Sequence, residues 1–340
     1  MEETVSSSKQ QTNRKIFILL VAICIFCFIS WNFYGPGGLR MSVGNIYINN
    51  VSGYVYIQQL YNIVLTTEKP LVNPHNFNYM ILENKTCQPT NGSVYLVVVV
   101  CVASGNLKQR QTVRETWGSI AKTNAEIKLV FMLGSAANDG IQEKINNESK
   151  IYHDIIQEDF VDSYRNLSLK SVALLKWTFT YCSSAKYVLK ADDDMFVNLD
   201  YLINVLKHRK LSNTVIGMQI TGARPIQNKN SKWYTPPEMF KGTVYPPYCS
   251  GTSYVISADS VERLYTASLN VPYFWLEDVF ITGICRIKAK VNLANDNGFT
   301  YNKPGPTGCV FRKRITGHRY TEKEIRQIWT EMTNTSLRCV

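Results

Sequence analysis

The stretch YVLKADDDMFVN, Tyr187 to Asn198, sets three adjacent aspartates directly behind an apolar run. Like charges side by side repel, so Asp192, Asp193 and Asp194 are tolerated where they are hydrated or share a cation. The apolar residues before them read as a strand, with the carboxylates at its C-terminal end. On an extended chain Asp192 and Asp194 point the same way. Two convergent carboxylates beside Lys190 suit a hard divalent cation held through oxygen, Mn2+ or Mg2+, that also meets a diphosphate. A turn or helix N-cap rich in Asp accounts for the triplet equally well, and the triplet alone does not choose. Its surroundings do exclude two phosphate chemistries. A DxDxT phosphatase needs threonine where Phe196 stands, and a prenyl-diphosphate DDxxD site needs aspartate in place of Phe196 or Val197.

Outward from this stretch, strands and helices alternate. VYLVVVVCVA (Val94–Ala103) and KLVFMLG (Lys128–Gly134) are continuous apolar runs of buried strands, and IIQEDF (Ile155–Phe160) is a shorter candidate. QRQTVRETWG (Gln109–Gly118), a polar segment over 138–150, SLKSVALLKWTFTYC (Ser168–Cys182) and LDYLINVLKH (Leu199–His208) read as helices. The alternation predicts an α/β domain with a mostly parallel sheet flanked by helices. Ligands of such sheets sit outside the carboxyl ends of the strands, where the aspartates are. The second half is less regular. WYTPPEMFKGTVYPPYCSG (Trp233–Gly251) is rich in turns, a helix is expected over 258–267, and LEDVFITGIC (Leu276–Cys285) leads into another helical stretch.

The chain has 340 residues, 45% hydrophobic and 12% aromatic, enough for a real core and unlike a disordered chain. Lys and Arg exceed Asp and Glu, giving a net charge of +11. No dense basic block, zinc-finger spacing or RNA-recognition signature accompanies that charge, so a solvated basic surface is expected and nucleic acid is not a partner. IFILLVAICIFCFISWNFY, Ile16 to Tyr34, carries no charge and is long enough to cross a membrane. Arg14 and Lys15 precede it, and Trp31 and Tyr34 sit at its far end. The run ends in bulky aromatics, not the small residues of a signal-peptide cleavage site. The expectation is therefore a cytoplasmic tail over 1–15, one type II transmembrane anchor over 16–34, a stem over 35–91 and a body over 92–340 that faces the lumen or the outside, which the resemblance below makes a lumenal catalytic domain. Asn-x-Ser/Thr triplets at Asn50, Asn84, Asn91, Asn147, Asn166 and Asn334 are candidate N-glycan sites on that lumenal side. Seven cysteines follow the anchor, an odd number, so at least one is free or pairs between chains. Cys101, inside the valine run, is expected to be an inert buried thiol.

Five motifs stand in order: RQTVRETWG (Arg110–Gly118), EDFVDSYRNLSLKS (Glu158–Ser171), KADDDMFVN (Lys190–Asn198), YPPYCSGTSYVIS (Tyr245–Ser257) and LEDVFITG (Leu276–Gly283). Together, behind an anchor, they resemble the β-1,3-galactosyltransferases, inverting glycosyltransferases of the GT-A type. The resemblance runs from about Asn73 to the C-terminal SLRC. It implies a Golgi enzyme that uses a UDP-sugar, UDP-galactose first, with Mn2+, and acts on a glycan acceptor of a glycoprotein or glycolipid. Carried over residue by residue, it makes Asp194 a direct metal ligand. Asp192 and Asp193 then contact the nucleotide sugar or metal-bound water, with Asp192 also a candidate ligand and Lys190 among the donor-site residues. His318, in ITGHRYTEKEI, matches the family's C-terminal metal histidine, and a neutral imidazole suits Mn2+. Asp278 matches the catalytic base, with Glu277 the adjacent alternative, although an acidic pair also suits a helix N-terminus. Arg110 and Arg114, at i and i+4, share one side of a helix near Trp117. They are candidates to meet a diphosphate, with a salt bridge the competing role. Gly251 is expected to allow close approach of sugar or acceptor, and Tyr248 and Trp233 to stack on sugar rings or pack in the core.

The pattern is not followed everywhere. EDVFITG is one residue longer before Gly283 than the usual EDVYVG. Ser253 replaces the second glycine of CSGxGY, and no Asn-His-Trp is found near Tyr301 and Asn302. These departures bear on which sugars are used. The leading expectation is galactose transfer to the 3-hydroxyl of a terminal N-acetylhexosamine, GlcNAc first. The same reaction with UDP-GlcNAc or UDP-GalNAc is the alternative. A membrane-anchored glycan-binding protein without turnover is a reading of a different class, and the retention of Asp194, Asp278 and His318 argues against it.

Overall fold

The computed structural model describes residues 71–88 and 94–339. The expected tail, the anchor over 16–34, residues 35–70 of the stem, and the sequons at Asn50 and Asn91 lie outside the described residues. No described helix is long and apolar enough to cross a membrane.

In chain order the elements are β1 (Tyr79–Ile81), β2 (Leu96–Cys101), α1 (Leu107–Glu115), α2 (Ile120–Thr123), β3 (Ile127–Ser135), α3 (Asp139–Tyr152), β4 (Ile155–Val161), α4 (Leu167–Tyr181), β5 (Tyr187–Asp192), β6 (Phe196–Val197) and α5 (Leu199–Arg209). There follow β7 (Thr214–Ile220), β8 (Tyr248–Ser257), α6 (Val261–Leu269), a π-helical turn (Val279–Cys285), α7 (Arg286–Ala289), β9 (Asn292–Asn295), α8 (Gly308–Phe311), β10 (Thr316–Gly317) and α9 (Glu322–Thr333). The strands expected at Val94–Ala103, Lys128–Gly134, Ile155–Phe160 and before the aspartates are β2 to β5, and the expected helices of the first half are all present.

Eight strands form one mixed sheet in the order β1-β4-β3-β2-β5-β8-β7-β9. β4, β3, β2 and β5 are parallel neighbours, β8 runs against β5 and β7, and β1 runs against β4. The valine run of β2 shows why this layer is central, since all six of its residues are buried. Val97 and Val99 enter one apolar cluster with α4 and α6, while Leu96, Val98 and Val100 enter another with α5 and α9. That is the period of two that a strand covered on both faces requires.

Residues 71–88, the end of the stretch expected as stem, pack on this body. β1 pairs with β4, His75 Nε2 lies 2.6 Å from Glu158 Oε2, and Cys87 forms a disulfide with Cys182 just after α4. A second disulfide joins Cys309 to Cys339, and among the described residues Cys101, Cys249 and Cys285 are free and buried. Burial pushes the Cys101 thiol up to about 12, so it stays protonated and inert, as expected.

Candidate active site

β5 lies at the middle of the sheet, where a parallel neighbour on one side meets an antiparallel one on the other. Its C-terminal end carries the acidic triplet. The strand stops at Asp192, and Asp193 and Asp194 lie in a turn, so the extended reading of the triplet is corrected. The turn is braced from several directions. Fully buried Trp117 donates from Nε1 to Met195 O at 3.0 Å, and the Tyr320 amide donates to Asp194 O at 3.0 Å. Beyond the turn, β6 pairs with β10 in a two-residue ribbon, Phe196 opposite Gly317 and Val197 opposite Thr316. This ribbon delivers His318 to the triplet. A Cβ on Gly317 would lie 2.7 Å from both Phe311 and Tyr320, so the ribbon closes only with glycine there.

Asp192, Asp194 and His318 each offer one ligand atom, all within 4.8 Å of one another. His318 Nε2 stands 3.2 Å from Asp194 Oδ2, and its Nδ1 faces Tyr301 O at 3.3 Å. A carbonyl only accepts, so Nδ1 carries a proton, and the Nε2 lone pair of the neutral ring would be left for a bound cation. Burial pulls the His318 pKa down, but the hydrogen bond and charge of Asp194 outweigh it and raise it. Two carboxylates and one imidazole are a donor set that fits a divalent cation. Burial also raises Asp192, to about 6, against the opposing pull of Lys190, and raises Asp193, against a 2.7 Å hydrogen bond from Asn106 Nδ2.

The acidic pair divides its work. Glu277 Oε1 accepts from Ser171 Oγ at 2.8 Å and from Tyr254 OH at 2.6 Å, and Oε2 lies 3.8 Å from Lys190 Nζ. Its Oε1 is engaged twice, and its Oε2 faces the lysine. Asp278, just before the π turn, accepts from the Val279 amide at 2.9 Å and the Gly251 amide at 3.2 Å. Burial, and then the neighbouring Glu277 charge, push its carboxyl up to about 6. Buried Lys190 donates to Asp192 at 2.5 Å and to the Gly251 carbonyl, tying the metal side to the acidic pair. A Cβ on Gly251 would lie 3.1 Å from both Asp278 Cβ and Glu277 Oε2. The close approach expected at this glycine is therefore made by the acidic pair.

A cavity of about 500 Å³ takes in Asp192, His318, Gly251, Asp278, Tyr248 and Trp233. A second, of about 540 Å³, takes in Asp193 and Asp194 with Asn106 and Tyr320. The triplet thus stands between two hollows. Arg110 and Arg114 reach neither. Arg110, 1% exposed, makes paired bonds of 2.9 and 2.6 Å to Glu148 and two more to the carbonyls of Ala103 and Ser104. Arg114 pairs with Asp154 at 2.7 Å and Glu148 at 2.6 Å, its guanidinium stacked 4.7 Å from the Phe131 ring. The expectation that these two meet a diphosphate is corrected in favour of the competing salt bridge: Glu148 of α3 and Asp154 in the loop after it hold both guanidiniums, away from either hollow.

Several contributors went unread in the sequence. Ser171 and Tyr254 hold Glu277, Asn106 holds Asp193, and the Tyr301 carbonyl holds His318. Tyr254 lies inside a quoted motif, and Asn106 follows a glycine just past β2, the kind of loop that lines such sites.

The comparisons bear on what this arrangement serves. A family model described as Galactosyltransferase matches residues 108–297. The chain is similar to beta-1,3-galactosyltransferase 1 of Homo sapiens, 38% identical over 275 residues, which cover 79% of this chain and 82% of the relative. It is also similar to beta-1,3-galactosyltransferase 2 of Homo sapiens, 36% identical over 269 residues, 76% of this chain and 63% of the relative. A crystal structure of the galactosyltransferase LgtC with donor and acceptor sugar analogs aligns with 70% of this chain and 97% of its own at a TM-score of 0.37 and 11% identity, too remote to carry an argument. On the family model and on relatives that it spans at more than a third identity, the chain belongs to the galactosyltransferase family.

Proposed function

We propose that this chain transfers galactose from UDP-galactose, with inversion, to the 3-hydroxyl of a terminal N-acetylhexosamine, GlcNAc first, on a glycoprotein or glycolipid. The observation that carries the reading is the convergence of Asp192, Asp194 and His318 on one another, with Asp192 and His318 lining the cavity that also holds Asp278. Its catalytic domain is of the GT-A type. Asp194, Asp192 and His318 would hold the Mn2+. When bound, the ion would offset charge on the diphosphate and so ease departure of UDP. Two hollows beside the triplet suit a donor whose nucleotide and sugar lie on different sides of it. Asp278 is the base. Its carboxylate takes the proton from the acceptor hydroxyl while that oxygen forms a bond to the anomeric carbon. The bond from that carbon to the diphosphate breaks on the opposite face, UDP leaves with the electron pair, and one displacement inverts the centre. A carboxyl raised to about 6 is still mostly ionised at neutral pH yet a better base than an ordinary aspartate. Glu277 and Lys190 are positioning residues, since both are bound to protein partners. Ile16 to Tyr34 anchors the chain in the Golgi membrane, with the body lumenal. Exposed Asn84, Asn147 and Asn334 are the freer glycan sites, whereas Asn166 donates its side-chain amide to Val161 O at 2.8 Å.

The test is the full chain in detergent, given UDP-galactose, UDP-GlcNAc or UDP-GalNAc with Mn2+ and GlcNAc-terminated acceptors, with the linkage read by NMR. A β-1,3-linked galactose is expected. Transfer of another sugar changes the donor, and no transfer from any donor returns the chain to a glycan-binding protein.

A further inference from the structure

Building on the transferase reading, we propose that the acceptor carries an anionic group, a sulfate ester or a uronate carboxylate, recognised by Arg224 and Lys232 at the mouth of the Asp278 cavity. Four cations line that cavity: Lys190, Arg224, Lys232 and Arg319. Among the described residues the ion pairs there are Lys190 with Asp192, Lys190 with Glu277, and His318 with Asp194, and the other three cations take part in none. Arg319 directly follows His318 and so belongs with the metal side. Arg224 and Lys232 come instead from the connection between β7 and β8.

That connection is a built structure. Ile226 bridges Tyr234, the Thr235 amide donates to Ile226 O at 3.0 Å, the Tyr245 amide donates to Ala223 O at 2.8 Å, and Tyr245 OH donates to Thr235 Oγ1 at 2.7 Å. Lys232 Nζ lies 4.6 Å from the Trp233 ring and 5.5 Å from the Tyr164 ring. Those rings are themselves joined, Trp233 Nε1 donating to Tyr164 OH at 3.0 Å, and both line the cavity. Cation–π contact positions the ammonium without neutralising it, and its donors can still meet an anion. The platform offers apolar faces to sugar rings, Lys232 lies against it, and Arg224 lines the same cavity, neither cation in an ion pair among the described residues. A neutral glycan leaves those cations unmatched. An anionic one gains charge-assisted hydrogen bonds, bidentate in the case of Arg224. The carboxylates facing the cavity, Asp192, Glu277 and Asp278, repel an anion from the base and leave the rim as its place.

The test uses the full chain with matched GlcNAc-terminated acceptors that are neutral, sulfated or joined to a uronic acid. The sulfated and uronate arms tell the two sources apart. For at least one of them kcat/KM is expected to exceed the neutral value by about tenfold, as a charge-assisted hydrogen bond allows. In Arg224→Gln with Lys232→Gln the ratio falls toward one. Calorimetric binding of the same glycans is read in parallel and decides even where no transfer occurs. Equal binding and equal kcat/KM for neutral and anionic glycans overturn the inference while leaving the transferase reading intact. So does a double variant whose lost step is the KM for UDP-sugar, since its cations then serve the diphosphate. Tighter anionic binding without any transfer keeps the inference and sinks the transferase reading.

Discussion

The Arg110–Arg114 cluster and the cluster around Asp192 and Asp278 both bury charge, yet only the first closes on itself. Two arginines there meet two carboxylates, Glu148 and Asp154, at hydrogen-bond distance. At the triplet, Asp192, Asp193, Asp194, Glu277 and Asp278 face one lysine and one histidine. Buried charge that balances internally holds the fold together; buried charge left in excess marks where something from outside completes it. The largest test of that contrast is Asp278→Asn, expected to lower kcat by about a thousandfold, the usual scale for a lost general base. The same variant should melt higher near pH 7.5. Asp278 is raised from the ordinary 3.8 to about 6, so the folded chain holds that proton more tightly than the unfolded one. Its stabilising share is complete below pH 3.8 and lost as pH rises through about 6, and the amide removes that cost at neutral pH.

Arg110→Met attacks the closed cluster and should cost about 3 kcal/mol of stability by stranding Glu148, read by urea unfolding. The KM for UDP-galactose of the folded fraction should stay within about twofold, the scatter expected where no substrate contact is lost. A rise beyond tenfold would restore Arg110 to the donor site and erase the contrast. A smaller effect is expected from Thr321→Ala. Thr321 caps α9 in a reciprocal pair with Glu324, just after His318. Its loss should cost about 1 kcal/mol of stability, with metal affinity by calorimetry falling only slightly. The mildest test is pH. Since Asp278 works ionised, kcat/KM should drop to about half its plateau near pH 6 and fall further below it.

Much of the fold was legible because the parallel strands are covered on both faces, and an unbroken apolar run such as Leu96–Cys101 has few other homes. The triplet's position followed from that strand. The partners were harder to see. Glu148 and Asp154 claim the two arginines across 38 and 40 residues of sequence, and no local spacing signals such a pairing. The ribbon that brings His318 to Asp194 has strands of two residues, too short for any periodicity, and resemblance alone pointed to that histidine. The turn that breaks the triplet's extended geometry was hidden because aspartate serves strand ends and turns alike.

The π-helical turn over Val279–Cys285 has a bearing on the shape of the cavity beside the base. A π turn holds one more residue than an α turn, and the spacing from Asp278 to Gly283 is longer by one residue. The wider turn begins directly after the aspartate, while the Val279 and Gly251 amides grip its carboxylate. Width on this side of the base thus shapes the cavity wall that Val279 lines, as a shim sets a hinge, while the two amides hold the base itself.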